Sequence, residues 1–334
     1  MAATAPVVAN RPSPRWMLLL QQQGATFALI AVAILGLARY GENFRSSFNI
    51  WEMLRNNTYY GLIALGMTFV IMTGGIDLSV GAVAALAAVT AARLSPHGIW
   101  VGTLGAIGIG ILVGLINGTI IARFKVQPFI VTLAMLLGCR GAALNLSHNA
   151  NVSVDFRSGF IDIGQRNIGP VPLPVIITVV AYILGSILFN FTRFGRHLLA
   201  IGGGEEASRL AGLPVDRTKV VVYAISGACA GLAGAILASL AYTGSPNFAI
   251  GWELSAIAAV IVGGTLLTGG RGSVGTTLSG VLLLGLIFNE LNFERAKGTF
   301  ELTQYWEEII RGAFLLLVVL LQARLSRSQR TNRM

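Results

Sequence analysis

Two short glycine-rich segments hold the residues of this chain best placed to do chemistry. The first reads Thr73-Gly74-Gly75-Ile76-Asp77-Leu78-Ser79-Val80-Gly81, and the second Thr268-Gly269-Gly270-Arg271-Gly272-Ser273-Val274-Gly275. They share T-G-G and S-V-G, with one residue fewer between those blocks in the second. Asp77 brings a carboxylate, Arg271 a guanidinium, and Thr73, Ser79 and Thr268 bring hydroxyls, while Gly74, Gly75 and Gly270 leave backbone unobstructed. Two uses of Asp77 are open. It can cap the following span by accepting from the N–H groups of Ser79 and Val80, or it can pair with Arg271 as a gate.

Both segments interrupt hydrophobic spans. A charge inside such a break is costly, so a functional role is the default expectation for Asp77. Broken spans at corresponding places in two halves put polar backbone deep in a bilayer, so the segments read as part of a pathway or gate. Asn117, Thr132, Asn145, Ser255 and Asn289 fall within spans and offer hydrogen bonds to a hydroxylated solute. Each also suits plain helix–helix bonding.

The elements that must position these residues are membrane helices. Of 334 residues, 54% are hydrophobic and 11% charged, and the mean hydropathy is +0.72; soluble domains run about 25% charged. Gly110, Gly114 and Gly118 repeat every fourth residue, as do Gly227 and Gly231, a spacing that lets helix backbones approach closely in lipid. The net charge of +10 does not point to nucleic acid, because the basic residues flank apolar spans. Cys139 and Cys229 have neither metal-ligand nor disulfide spacing and read as packing residues.

The hydropathy pattern predicts an all-α polytopic fold of about ten spans: 17–38, 53–72, 80–94, 100–122, 128–147, 173–191, 220–242, 253–267, 274–292 and 304–323. Residues 1–16 form a cytoplasmic N-terminal segment, 17–323 the transmembrane domain and 324–334 a basic cytoplasmic tail. The first span reads as uncleaved. Lys and Arg concentrate at Arg123–Lys125, in the loop 192–219 and in the tail, which sets both termini and both glycine-rich breaks on the cytoplasmic side. Trp16, Trp51, Trp100, Trp252 and Trp306 fall near span ends, where amphipathic rings prefer to sit.

The loop 192–219 is the second informative region. Gly202-Gly203-Gly204 reads as free backbone ahead of a short helix that opens on Glu205 and Glu206, where the helix dipole favours negative charge. Ala207, Ser208, Arg209 and Leu210 continue it. Gly212 ends it as a left-handed cap, and Pro214 prevents its extension. A short helix on the cytoplasmic face invites a docking partner.

Glu206-Ala207-Ser208 with Gly212 resembles the E-A-A-x-x-x-G loop of ABC importer permeases. Gly66-Met67-Thr68 through Gly81, Gln127-Pro128-Phe129-Ile130-Val131-Thr132-Leu133, and the second break through Gly275 resemble the ribose/xylose/galactofuranose-type permeases of the branched-chain amino acid and sugar permease superfamily. The likeness spans roughly 50–325 and departs in placing Leu213-Pro214 directly after Gly212. It implies a non-catalytic subunit of an inner-membrane monosaccharide importer. Its coupling residues would be Gly204, Glu205, Glu206, Ala207, Ser208, Arg209 and Gly212, docked on an ABC ATPase. Its other partners would be a periplasmic sugar-binding protein, which carries most of the selectivity, and a second permease, alike or different.

Absences in the sequence agree. The lysines are Lys125, Lys219 and Lys297, and none follows a glycine, so a phosphate-cradling G-x-x-x-x-G-K-[ST] loop is missing. ATP is then hydrolysed by a partner, and no cofactor is expected on this chain. His97, His148 and His197 lie far apart, and no metal site is expected. The alternatives are a branched-chain amino acid or autoinducer ABC permease, and an ion-coupled secondary transporter using Asp77.

Overall fold

The computed structural model describes residues 15–297 together with 306, 309, 310, 312, 313 and 316, and for 15–22 the backbone only. Residues 1–14, nearly all of the expected span 304–323 and the tail 324–334 lie outside the described residues. Thirteen α-helices are described. Helix α1 (Arg15–Tyr40) is followed by the single turn α2 (Glu42–Arg45) and by α3 (Ser47–Met72). Ser46 starts α3 by accepting from the Asn49 N–H. The first break separates α3 from α4 (Val80–Leu94), and α5 (Ile99–Phe124) and α6 (Pro128–Leu146) come next. Pro128 suits the first turn of α6, where its missing N–H would have had no partner.

The polar stretch after α6 is ordered. Strand β1 (Val152–Ser153) pairs with β4 (Thr243–Gly244), β2 (Asn167–Ile168) pairs with β3 (Val171–Pro172), and α7 (Asp162–Gln165) lies between. Ser239 ties this cap to the bundle, donating to the Ile161 carbonyl at 2.7 Å and accepting from the Gly164 N–H at 2.9 Å. The chain continues through α8 (Leu173–Phe191), α9 (Arg193–Gly203), α10 (Glu205–Leu210), α11 (Val215–Leu240), α12 (Trp252–Val262) and α13 (Val274–Ala296).

Seven described segments are long and apolar enough to cross a membrane: Gln23–Tyr40, Val80–His97, Ile99–Phe124, Pro128–Leu146, Leu173–Phe191, Val215–Leu240 and Val274–Ala296. α3 has 26 residues, about 39 Å at 1.5 Å per residue, but Glu52, Arg55, Asn56 and Asn57 make its first half polar. The expected span 253–267 is corrected: α12 stops at Val262 after 11 residues, about 16 Å, half of a ~30 Å hydrocarbon core. Gly263 and Gly264 end it, Gly264 in the left-handed region at φ 88°. Trp252 sits at no bundle end. It stacks on Tyr59 at 4.6 Å between ring centroids and packs against the tilted ring of Tyr60 at 4.4 Å, and those tyrosines occupy the middle of α3.

α11 is the central helix, packed on α3, α4 and α5. Its contact with α5 is backbone against backbone. A Cβ on Gly110 would overlap the Gly227 carbonyl, and one on Gly227 would overlap the Gly110 carbonyl. With no hydrophobic drive between helices in lipid, such close approach is what holds the pair together.

Candidate functional site

The two glycine-rich breaks meet. The Gly270 N–H donates to the Met72 carbonyl at 3.0 Å. A Cβ on Gly269 would lie 2.7 Å from the Gly74 nitrogen, and one on Gly74 would lie 3.4 Å from the Thr268 carbonyl oxygen. Gly74, Gly269 and Gly270 take φ of 80°, 80° and 75°, a region that side chains disfavour. A third segment enters the same junction. A Cβ on Gly202 would overlap both the Met72 carbonyl oxygen and the Gly270 nitrogen. Gly202 and Gly203 are therefore not free backbone, as the sequence suggested, but the last residues of α9. That helix is itself held by Phe194, Leu198 and Ile201, spaced at four and three residues.

Asp77 lies deeper than the junction. Ser226, its partner, packs against Gly66 of α3, six residues or about 9 Å in from Met72. Asp77 is 2% exposed. Its Oδ1 accepts from the Ser79 N–H at 3.0 Å and the Ser79 hydroxyl at 2.6 Å, and its Oδ2 accepts from Ser226 Oγ at 2.9 Å. Asn117 of α5 donates to Ser79 Oγ at 3.0 Å. A buried carboxylate is tolerated when its oxygens accept such bonds. Of the two uses left open by the sequence, the cap is formed only in part: the Ser79 N–H donates to Asp77, and among the described hydrogen bonds the expected one from the Val80 N–H is absent. The pairing with Arg271 is not formed, because Arg271 is exposed and no ion pair joins the two among the described residues. Thr73 donates to the Val70 carbonyl at 2.7 Å, and Thr132 to the Pro128 carbonyl at 2.8 Å.

The other in-span candidates are scattered. Asn145 is exposed near the far end of α6. Asn289 and Asn49 exchange carboxamide bonds at 2.9 and 3.2 Å. Ser255 is buried on α12 and lines a small cavity with Asn57, Tyr60 and Phe288. Residues that the sequence reading left unused also matter. Ser226 leaves no signal in sequence, because it acts through a partner 149 positions away. Arg140 and Glu253 carry one, a charge among apolar neighbours.

Helix α10 hangs from the junction by one residue, Gly204. Its first turn holds Glu205 and Glu206. Leu213 N–H donates to the Ser208 carbonyl and Gly212 N–H to the Arg209 carbonyl, each at 3.0 Å, with Gly212 at φ 78°. This pair of bonds is the Schellman arrangement that closes a helix. Glu205 contacts Lys219 at 2.7 Å and Arg209 contacts Asp216 at 2.8 Å. These half-exposed pairs contribute little stability, but they set the angle of α10 on the first turn of α11. Ser208 faces inward, 5% exposed, while Leu210 is 86% exposed and Glu206, Ala207, Ala211 and Gly212 are exposed beside it.

Comparison with known proteins matches the family model described as branched-chain amino acid transport system, permease component, over residues 49–319. The chain is 36% identical over 311 residues to the ribose import permease protein of Escherichia coli K12, covering 90% of this chain and 93% of that one. It is 38% identical over 312 residues to the ribose import permease protein of Bacillus subtilis, covering 92% and 94%. It is 35% identical over 311 residues to the L-arabinose transport system permease protein of Escherichia coli K12, covering 92% and 93%. No solved structure matches. The paired breaks, the short helix bolted to them and these likenesses along nine-tenths of the chain lead to one conclusion: the chain belongs to the family of branched-chain amino acid transport system permease components.

Proposed function

We propose that this chain is the membrane-spanning permease subunit of an ATP-binding-cassette importer that carries a monosaccharide across the inner membrane. The observation that carries the reading is the exposed face of α10, held rigidly and joined through Gly202 to both breaks. A separate ATPase subunit docks on Glu206, Ala207 and Leu210 and hydrolyses the ATP; this chain binds no cofactor. Motion of α10 passes to Gly202 through Gly204, and from there to Met72 and Gly270 together. A shift of one element moves two breaks, because bare backbone leaves no soft side chain to absorb it. A second permease chain and a periplasmic sugar-binding protein complete the assembly. Both termini lie on the cytoplasmic side, where the basic residues of the loops and tail favour them.

The family description names branched-chain amino acids, but the relatives above are ribose and arabinose permeases, which favours a sugar. Expression of this chain with its ATPase and binding protein, in cells lacking pentose importers, tests the choice. Uptake of radiolabelled ribose or arabinose is expected. Uptake of leucine without either sugar would move the chain to the amino-acid branch.

A further inference from the structure

Helix α11 presents two hydroxyls to the first break, and only one of them is in use. Ser226 and Tyr223 are three residues apart, so they share a face of the helix and differ by about 4.5 Å of rise. Ser226 Oγ donates to Asp77 Oδ2 at 2.9 Å. Tyr223 is 1% exposed, and its hydroxyl has no hydrogen-bond partner among the described residues. That hydroxyl reaches the same break. A Cβ on Gly75, two residues before Asp77, would lie 2.7 Å from the Tyr223 oxygen. Gly75 takes no positive φ, so its backbone does not demand glycine; the bare Cα leaves room for the hydroxyl. Ser226 packs against Gly66, nine residues before Gly75, so the Tyr223 hydroxyl lies on the junction side of Ser226.

A buried O–H without an acceptor is costly, and a phenylalanine ring would fill the same space without that cost. The hydroxyl therefore calls for a use in a second arrangement. Asp77 can supply it. Each carboxylate oxygen offers two acceptor sites, and Oδ2 receives one bond here. A hydroxyl donating to a carboxylate makes the strong, charge-assisted kind of bond. The same network holds a second unpartnered atom, Asn117 Oδ1, whose amide nitrogen is spent on Ser79. A network left partly satisfied is not at its only resting place. α11 is the fixed part, locked to α5 backbone against backbone at Gly110 and Gly227. The break is the part that is driven, since Met72 at its edge accepts from the Gly270 N–H and abuts Gly202. One-turn steps of one element past another are a known form of switching.

We infer that Asp77 and α11 form a two-position catch. Ser226 holds the carboxylate in the arrangement described, and Tyr223 takes it over when the first break moves by about one turn toward the junction. This inference rests on the permease reading. Tyr223→Phe removes the second hold alone. The thermal unfolding midpoint of the purified variant is expected to equal or exceed the parent's. A lower midpoint, or a variant that does not assemble, shows that the hydroxyl is already bonded and overturns the catch. Uptake is measured with the full importer, ATPase and binding protein included, in proteoliposomes with radiolabelled ribose and arabinose. Tyr223→Phe is expected to lower it at least threefold, and a smaller fall overturns the catch. A packing defect would also lower uptake, so Ser226→Ala is added to Tyr223→Phe. With both holds gone, neither position is favoured, and uptake is expected to rise at least twofold above that of Tyr223→Phe alone. A smaller rise, a further fall or a double variant that does not assemble is what two independent defects give, and overturns the catch. A parent complex that imports neither sugar removes the permease reading itself, an outcome distinct from a parent that imports sugar and a Tyr223→Phe variant that imports it as well.

Discussion

Gly202, the penultimate residue of α9, lies so close to Gly270 of the second break that a single methyl group on Gly202 has nowhere to go. The next residue differs: a Cβ on Gly203 meets nothing within 4 Å. α9, from which α10 hangs, therefore reaches the two breaks through bare backbone at Gly202.

Gly202→Ala is expected to force the junction apart at a cost of about 1–3 kcal/mol, as overpacking does, and to abolish sugar uptake. Gly203→Ala is expected to be silent. Thermal unfolding of the purified chain and uptake by the assembled importer check both. Normal uptake by Gly202→Ala would dissociate the junction from transport.

Asp77 is read here as a cap and a clamp. Asp77→Ala removes the acceptor for the Ser79 N–H and leaves the hydroxyls of Ser79 and Ser226 without their partner, each buried loss costing about 1–3 kcal/mol; protein yield should fall sharply. Asp77→Asn keeps an acceptor for Ser79, and the Ser226 hydroxyl can turn to accept from the new amide, so uptake within about threefold of the parent is expected. Arg271→Asp should not depend on residue 77. Rescue of uptake by exchanging the charges of Asp77 and Arg271 would contradict the geometry described above.

Much of the helical framework was legible. α4 and α8 begin and end where the hydropathy pattern placed them, 80–94 and 173–191, because serine flanks α4 at both ends and proline opens α8 while Thr192 and Arg193 close its apolar run. α12 ran shorter than expected, since hydropathy continues through Leu266 and Leu267 while the backbone has already turned at Gly263 and Gly264. α9 went unread although Phe194, Leu198 and Ile201 have helical spacing; the basic residues between them looked like a solvated loop. Ser226 and Asp77 are 149 positions apart. Their bond depends on how α11 crosses α3, which no local pattern records. The same holds for Gly202, whose need to be glycine comes wholly from Met72 and Gly270.

At the end of α10, Gly212→Val places a β-branched residue at φ 78°, where a side chain costs about 1–2 kcal/mol, and should loosen the Schellman closure. Glu206→Lys changes only the exposed face. Both variants are expected to insert normally and to lose at least tenfold in uptake, with less ATPase retained on affinity purification. Normal ATPase retention and normal uptake in both would show that α10 is not the docking element.

The most direct test of the account is whether this chain needs a partner for its energy. Purified and reconstituted alone, it is expected to hydrolyse no ATP and to accumulate no ribose or arabinose against a gradient. Adding the ATPase subunit and the binding protein should start uphill uptake that stops when ATP is withdrawn. Uphill uptake by the chain alone, driven by a proton or sodium gradient, would contradict the account.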